Sequence, residues 1–418
     1  MGNIAISGMK NAALPILMGC VLVDDECIIE NLPEIHDVTV SLEILEAMGA
    51  KVRMLDRNTV AIDATGVRCG SSPLDLVNTI RASYYLMGAE LGRFGRTHVG
   101  YPGGCDFGVR PIDQHLKGFA ALGAEADVTG GYVDAEAEGG RLKGSTIFFD
   151  LVSVGATINV MLAACRAEGV TEIENAAKEP HIVDLANFLN ACGADIKGAG
   201  TDTIRINGVS HLHGCTYDII PDMIEAGTYM IAAAATDGDL TITDVIPKHL
   251  DCISAKMREM GVTVEEGDDW VRVYRTGELK PTNVKTLPYP GYPTDMQPQI
   301  SILMCLAKGT STLKESVFDN RFRYIDELLR MGASVKVDGK TAIFEGGNRL
   351  SAAKVRAVDL RAGAAMVIAG LAIEGRTEID NIHLIERGYD HLIEKLQAVG
   401  ATIGKVEIKE SSAMLHAE

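Results

Sequence analysis

One cysteine stands apart from the other eight. Cys105 sits in the run Tyr101-Pro-Gly-Gly-Cys-Asp-Phe-Gly-Val-Arg110, flanked by Gly103, Gly104 and Gly108. Such a run has no apolar periodicity and holds neither a helix nor a regular strand well, so it predicts a surface loop with the thiol near its tip. Arg110 and Asp113 follow, where a helix is expected to begin. A guanidinium beside a thiol favours the thiolate, which makes Cys105 a candidate nucleophile or proton donor. The same run also fits a glycine-rich turn with an incidental cysteine, and the loop alone does not choose between the two.

The elements that would position this loop form an internal repeat. An amphipathic helix ends in a Gly-Ala or Gly-Val step and is followed by a strand, with marker glycines at 49, 123, 193, 261, 332 and 400. The spacing is 68–74 residues, and each glycine suits a left-handed helix C-cap. Each unit also carries a helix apolar on nearly all sides, at 11–22, 81–91, 155–165, 225–235, 295–307 and 361–372, each followed by a short strand. Helices of that kind belong in a core. A short strand is expected before every such helix, as at 216–220 and 355–358. Six units make two domains of three. The predicted division is residues 10–219 as a first lobe, and residues 220–418 with 1–9 as a second. Ile4–Ser7 would supply a strand to the second lobe, so the chain would cross twice between lobes.

Charged residues fall at matched places in this repeat. Arg110 and Arg387 each lie thirteen residues before a marker glycine, and Asp113 and Asp390 each lie ten before. The core helices open on Lys10-Asn11, Arg81, Ser153-Val-Gly155, Glu225, Asp295 and Arg361. Helix N-termini carry free N–H groups and partial positive charge, which suits an anionic ligand. A cleft between lobes with arginines on both walls would grip a multiply charged anion and close on it. The bland reading is six ordinary capping sites with solvated arginines. Basic residues at matched positions in an acidic chain favour the cleft.

The 418-residue chain has net charge −18, which argues against a general nucleic-acid or anionic-membrane surface. No apolar run reaches the length of a membrane span, and the first ten residues do not read as a signal peptide. Nine scattered cysteines without a CxxC suggest a reducing, cytoplasmic setting, with most of them plain core residues. There is no dinucleotide-binding fingerprint and no P-loop. His211-Leu-His213-Gly-Cys215 could bind a metal on spacing alone, but a turn at a strand edge accounts for it equally well.

Six motifs taken together resemble the UDP-N-acetylglucosamine enolpyruvyl transferase family. They are Ser7-Gly-Met-Lys-Asn-Ala-Ala-Leu-Pro15, Pro102-Gly-Gly-Cys-Asp-Phe-Gly-Val-Arg-Pro111, Val152-Ser-Val-Gly-Ala-Thr157, Glu174-Asn-Ala-Ala-Lys-Glu-Pro180, Tyr292-Pro-Thr-Asp-Met-Gln297 and Ile385-Glu-Arg-Gly-Tyr389. The resemblance spans essentially the whole chain. It implies an α/β fold of two lobes, each an inside-out α/β barrel of three βαβαββ-like units around buried helices. It implies transfer of enolpyruvate from phosphoenolpyruvate to the 3′-hydroxyl of UDP-N-acetylglucosamine with release of phosphate, the first committed step of peptidoglycan synthesis. No cofactor or essential metal is implied, and both partners are small molecules.

The resemblance also assigns residues. Lys10, Asn11, Arg110 and Arg387 would hold phosphoenolpyruvate, and Arg361 would support them. Arg81, Arg110, Pro111, Ile112, Asp113, Gln114, Leu151, Val152, Ser153, Val154, Asp295 and Val317 would line the nucleotide sugar. Cys105 would donate a proton and react with the phosphonate epoxide fosfomycin, and Asp295 would accept the proton of the sugar hydroxyl. At the opening of a buried helix, Asp295 is expected to be kept ionised by the helix dipole. The chain departs from the family pattern in four places. It lacks the customary strand ahead of Ile4; Met9 replaces an alanine; Leu151 and Met223 stand where some members carry Lys and Arg. Two alternatives remain: a shikimate-pathway enolpyruvyl transferase, which lacks this Gly-Gly-Cys loop, and a non-catalytic nucleotide-sugar-binding paralogue.

Overall fold

The computed structural model describes residues 2–101 and 111–406. The periodicity of the chain becomes a repeated four-stranded unit. In the third repeat, strand Thr146–Phe148 pairs in parallel with Val170–Glu174, which pairs antiparallel with Thr203–Asn207, which pairs antiparallel with Asp195–Lys197. Three other sheets have the same order and directions. All six marker glycines have positive φ, from 85° at Gly123 and Gly261 to 109° at Gly49. At Gly49 a Cβ would also lie 2.6 Å from the carbonyl oxygen of Gly66, so this cap excludes every other residue twice over.

The apolar helices lie in the core, as their composition requires. Every residue of Met223–Ala235 is buried, as is all of Val154–Ala164 except its first. Helices Lys10–Gly19, Tyr85–Phe94 and Val154–Ala164 pack together, and so do Met223–Ala235, Gln297–Leu306 and Leu360–Leu371. Small residues permit the close approach. A Cβ on Gly88 would lie 2.3 Å from the Asn159 carbonyl oxygen, and the Gly88 N–H donates to Asn159 Oδ1 at 2.8 Å.

Two sheets are completed by strands from far along the chain. Gly2–Ala5 pairs in parallel with Leu240–Thr243, with Ile4 opposite Ile242. Thr216–Asp218 pairs in parallel with Glu26–Glu30, with Tyr217 opposite Ile29. The N-terminal strand therefore ends before Ile6-Ser7, earlier than its alternation predicts. The Ser7 N–H leaves the ladder and donates to the Glu225 carboxylate at 2.9 Å.

Two repeats depart from the pattern. Ahead of Arg81 there is a short helix, Leu74–Val77, in place of a strand, and that sheet has three strands. Pro73 removes a ladder donor, and Asp75 in the first turn suits a helix start. After Gly400, residues 401–406 form no strand. Among the described residues no sheet closes into a barrel, and no helix is long and apolar enough to cross a membrane.

Candidate active site

Lys10 opens the first core helix and is only 8% exposed. A cation at a helix N-terminus opposes the dipole and needs an anion nearby. Asp37 supplies it from the first turn of His36–Met48. Its carboxylate takes Lys10 Nζ at 2.8 Å on one oxygen. It also takes Arg387, through Nε at 2.9 Å and Nη2 at 3.2 Å. Gly388 makes room for the lysine stem, since a Cβ there would lie 2.9 Å from Lys10 Cδ. Burial pushes the Lys10 pKa down; Asp37 opposes that, while Arg361 and Arg387 add to it. Burial alone would raise the Asp37 pKa, but Lys10 and Arg387 outweigh it and hold the carboxyl below its ordinary range.

Asp295 lies in the short turn Thr294–Met296 that leads into helix Gln297–Leu306. Arg361 reaches one of its oxygens through Nη2 at 3.1 Å and Nε at 3.2 Å, and Arg321 stands 3.7 Å from the other. Both arginine side chains are essentially buried, whereas that of Asp295 keeps 29% of its surface accessible. Burial works to raise the Asp295 pKa, and Arg361, then Arg321, overcome it, with Lys10 adding to the effect. Guanidinium charge thus holds the carboxyl ionised. Asp359 fixes Arg361 in place. Its Oδ1 accepts the backbone N–H groups of Arg361 and Ala362 at 2.8 and 2.9 Å and lies 3.7 Å from Arg321. Asp222 caps Met223–Ala235 in the same way.

Glu315 organises the turn around Asp295. It is 1% exposed and accepts from Thr286 Oγ1 at 2.8 Å, Thr294 Oγ1 at 3.0 Å and the Val317 N–H at 2.7 Å. It thereby links the residue before Asp295 to the exposed Val317. Asn11, beside Lys10, is half-buried.

The remaining expected residues form a second group. Arg81 opens a short turn and lies 5.3 Å from the Tyr84 ring centroid. Gln114, 8% exposed, donates to Asp150 Oδ2 at 3.2 Å and accepts the Asp150 N–H at 3.0 Å. That pair fixes the loop at 151–154 against helix Asp113–Ala121. Leu151 and Val152 are exposed, Val154 is half-buried, and Ser153 caps the next core helix by accepting the Ala156 N–H. Pro111 and Asp113 are exposed and Ile112 is buried. The matched pair Asp113 and Asp390 has diverged: Asp390 is 6% exposed and accepts the Ser7 hydroxyl at 2.7 Å. Cys105 and Arg110 lie outside the described residues.

Sequence spacing missed Asp37, Arg321, Asp359, Asp222 and Glu315. An Asp just ahead of an apolar helical run signals an N-cap, which could have singled out Asp222 and Asp359. The others give no local signal. The His211–Cys215 spacing does not make a metal site. His211 pairs with Asp24 at 2.9 Å, and Cys215 turns toward Cys27 and Cys192. In chemical terms the first group is a set of buried, fixed cations beside one accessible carboxylate. It can stabilise charge building on a departing oxyanion and take up a proton.

Comparison with known proteins gives the family and the fold. The sequence model of the family described as EPSP synthase (3-phosphoshikimate 1-carboxyvinyltransferase) matches residues 1–396. A UDP-N-acetylglucosamine 1-carboxyvinyltransferase 3 from Caldanaerobacter subterraneus is 55% identical over 97% of this chain and 96% of its own length. A UDP-N-acetylglucosamine 1-carboxyvinyltransferase from Clostridium botulinum is 54% identical over 96% of each. Among solved structures, the enolpyruvyl transferase NikO from Streptomyces tendae superposes with TM-score 0.87 at 28% identity, covering 96% of this chain and 95% of the other. An EPSP synthase from Acinetobacter baumannii, at 20% identity and TM-score 0.73 over 96% of each chain, shares the fold.

Proposed function

Since the chain belongs to the EPSP synthase family of carboxyvinyl transferases, we propose that it is a UDP-N-acetylglucosamine 1-carboxyvinyltransferase. It transfers enolpyruvate from phosphoenolpyruvate to the 3′-hydroxyl of UDP-N-acetylglucosamine, releases phosphate and serves peptidoglycan synthesis. The observation that carries this reading is 55% identity across 97% of the chain to a transferase of that name.

In the mechanism that the site supports, Lys10, Arg110 and Arg387 hold the phosphate of phosphoenolpyruvate, and Asn11 lies beside the reacting groups. Arg81, Pro111–Gln114, Leu151–Val154 and Val317 face the nucleotide sugar. The sugar hydroxyl adds to C2 of phosphoenolpyruvate while Asp295 takes its proton and Cys105 protonates the methylene carbon. The product is a tetrahedral ketal. Loss of a proton from that methyl group and of phosphate from C2 restores the double bond, with the cations balancing charge on the leaving phosphate. Arg361 and Arg321 keep Asp295 ionised until the hydroxyl arrives.

The two packed groups of core helices fit two lobes, residues 10–219 and residues 220–418 with 1–9, each arranged as an inside-out α/β barrel. Closure of the lobes, with the Cys105 loop folding over the cleft, would exclude water. A phosphate-release assay tests the reading. Phosphate is expected only when phosphoenolpyruvate and UDP-N-acetylglucosamine are both present, and equal turnover with shikimate 3-phosphate would overturn it.

A further inference from the structure

Three cysteines on separate elements bring their sulfurs together away from the charged cluster. Cys27 lies in strand Glu26–Glu30, Cys192 at the C-cap of helix Pro180–Ala191, and Cys215 immediately before strand Thr216–Asp218. The backbone fixes all three. The Cys215 carbonyl accepts the Ile28 N–H at 2.9 Å, and the Cys192 carbonyl accepts the His213 N–H at 2.9 Å. The Cys192 and Cys215 sulfurs are 3.4 Å apart, and all three sulfurs lie within 4.8 Å of one another. Cys27 and Cys192 are fully buried, while Cys215 is half-buried and opens the group toward solvent.

We propose that Cys27, Cys192 and Cys215 form a thiolate site for a thiophilic d10 cation of the Zn2+ type. With Zn–S bonds near 2.3 Å, a tetrahedral ion holds its sulfurs roughly 3.8 Å apart. The Cys192–Cys215 spacing of 3.4 Å is close to that value, and no pair of the three sulfurs is further apart than 4.8 Å. An all-sulfur donor set selects soft cations over magnesium or calcium. Packing alone does not require three thiols at one point, and a disulfide between two of them would leave the third unused. The fourth position faces the Cys215 opening, where water completes the shell. Binding releases the thiol protons to solvent, so affinity rises with pH. The bound ion would tie the end of a helix in the third repeat to a sheet of the first, just ahead of the segment 219–222 that leads into helix Met223–Ala235.

The test uses the full chain, anaerobic and reduced with a phosphine. Co2+ serves as a spectroscopic probe and Zn2+ alone as the competing ligand. Wild type is expected to take one Co2+ per chain with a near-ultraviolet thiolate-to-cobalt band that zinc bleaches. Cys105→Ala should keep the band. Cys215→Ser should lose it, with zinc affinity at least about tenfold weaker. Absence of the band in wild type, or its survival in Cys215→Ser, overturns the site. Should that variant fail to fold, alkylation mapped by peptide in wild type decides. Zinc must protect Cys215 while Cys105 reacts as before, and equal labelling of Cys215 with and without zinc refutes the proposal.

Discussion

Replacing Asp37 with Asn removes a carboxylate shared by Lys10 and Arg387 while keeping its shape. At an effective dielectric constant of about 20, unit charges separated as Lys10 and Asp37 are, at 2.8 Å, attract by roughly 6 kcal/mol. Desolvation of both partners offsets most of that. The net loss on breaking a buried pair from one side is about 3–5 kcal/mol. Asparagine still accepts one hydrogen bond, so about 3 kcal/mol is expected for Asp37→Asn in chemical denaturation at pH 7. The Asp37 pKa is depressed in the folded state, so its contribution is present above the unfolded carboxylate pKa and is lost as pH falls through the folded value. The gap between variant and wild type should therefore narrow in acid. A second readout concerns catalysis. Asp37 is the group that opposes the fall in the Lys10 pKa, so without it that pKa drops further. The alkaline limb of kcat/KM for phosphoenolpyruvate should move to lower pH. At the acidic end, where Lys10 is still charged, phosphoenolpyruvate should bind no worse, because an anion competing for the same cations has gone. A stability change under about 0.5 kcal/mol, typical of an uninvolved surface site, with an unmoved alkaline limb would refute the reasoning.

Asp295→Asn should fold normally and lose about 10²–10⁴ in phosphate release, because an amide cannot accept the hydroxyl proton; near-normal turnover would remove Asp295 from the chemistry. Burial raises the Glu225 pKa to about 7 despite its contact with Lys395. The unfolded state loses this proton first, so wild type should lose stability relative to Glu225→Gln as pH rises from about 4.5 to about 7, and parallel stability–pH curves would contradict that. Burial lowers the His115 pKa to about 3. His115 should therefore cost stability as pH falls below the unfolded value of about 6.5, and His115→Gln should flatten that part of the curve, as read by thermal melts across pH. Brief exposure to a phosphonate epoxide should label Cys105 ahead of every other cysteine, and faster with UDP-N-acetylglucosamine present; intact-mass and peptide mapping would expose a dominant adduct elsewhere.

Much of the fold was readable because its signals are local. A left-handed cap demands glycine, so six glycines at regular spacing marked six helix ends before any coordinates. Helices such as Met223–Ala235 declared their burial by composition. The second repeat misled because its strand was inferred by analogy, and Pro73 with Asp75 favoured a helix. Of the candidate site, motifs singled out Lys10, Asp295 and Arg387, and the structure places each beside a buried opposite charge. Asp37 was not legible, because its partner Arg387 lies 350 residues away and Asp37 itself reads as an ordinary first-turn acid. Glu315 resembles any strand-end glutamate until Thr286, Thr294 and Val317 converge on it. The cysteine group escaped notice for a similar reason, since the pairing of Thr216–Asp218 with Glu26–Glu30 joins Cys215 to Cys27, and the end of helix Pro180–Ala191 brings in Cys192.

The strand Gly2–Ala5 has a consequence for how the protein is made. Its ladder partner, Leu240–Thr243, follows more than 230 residues later. At about 5–20 residues per second, the ribosome needs roughly 12–50 s to deliver it. During that interval Ile4 and Ile6, both buried in the finished protein, have no native place to go. The first three repeats can pack meanwhile, except that the edge of Glu26–Glu30 also waits, until Thr216–Asp218 emerges. Two open strand edges thus persist past the midpoint of synthesis. The nascent chain is then most exposed to mispairing with itself or with a neighbouring copy, and slowing elongation between residues 30 and 215 should lower the yield of native protein more than slowing it after residue 245.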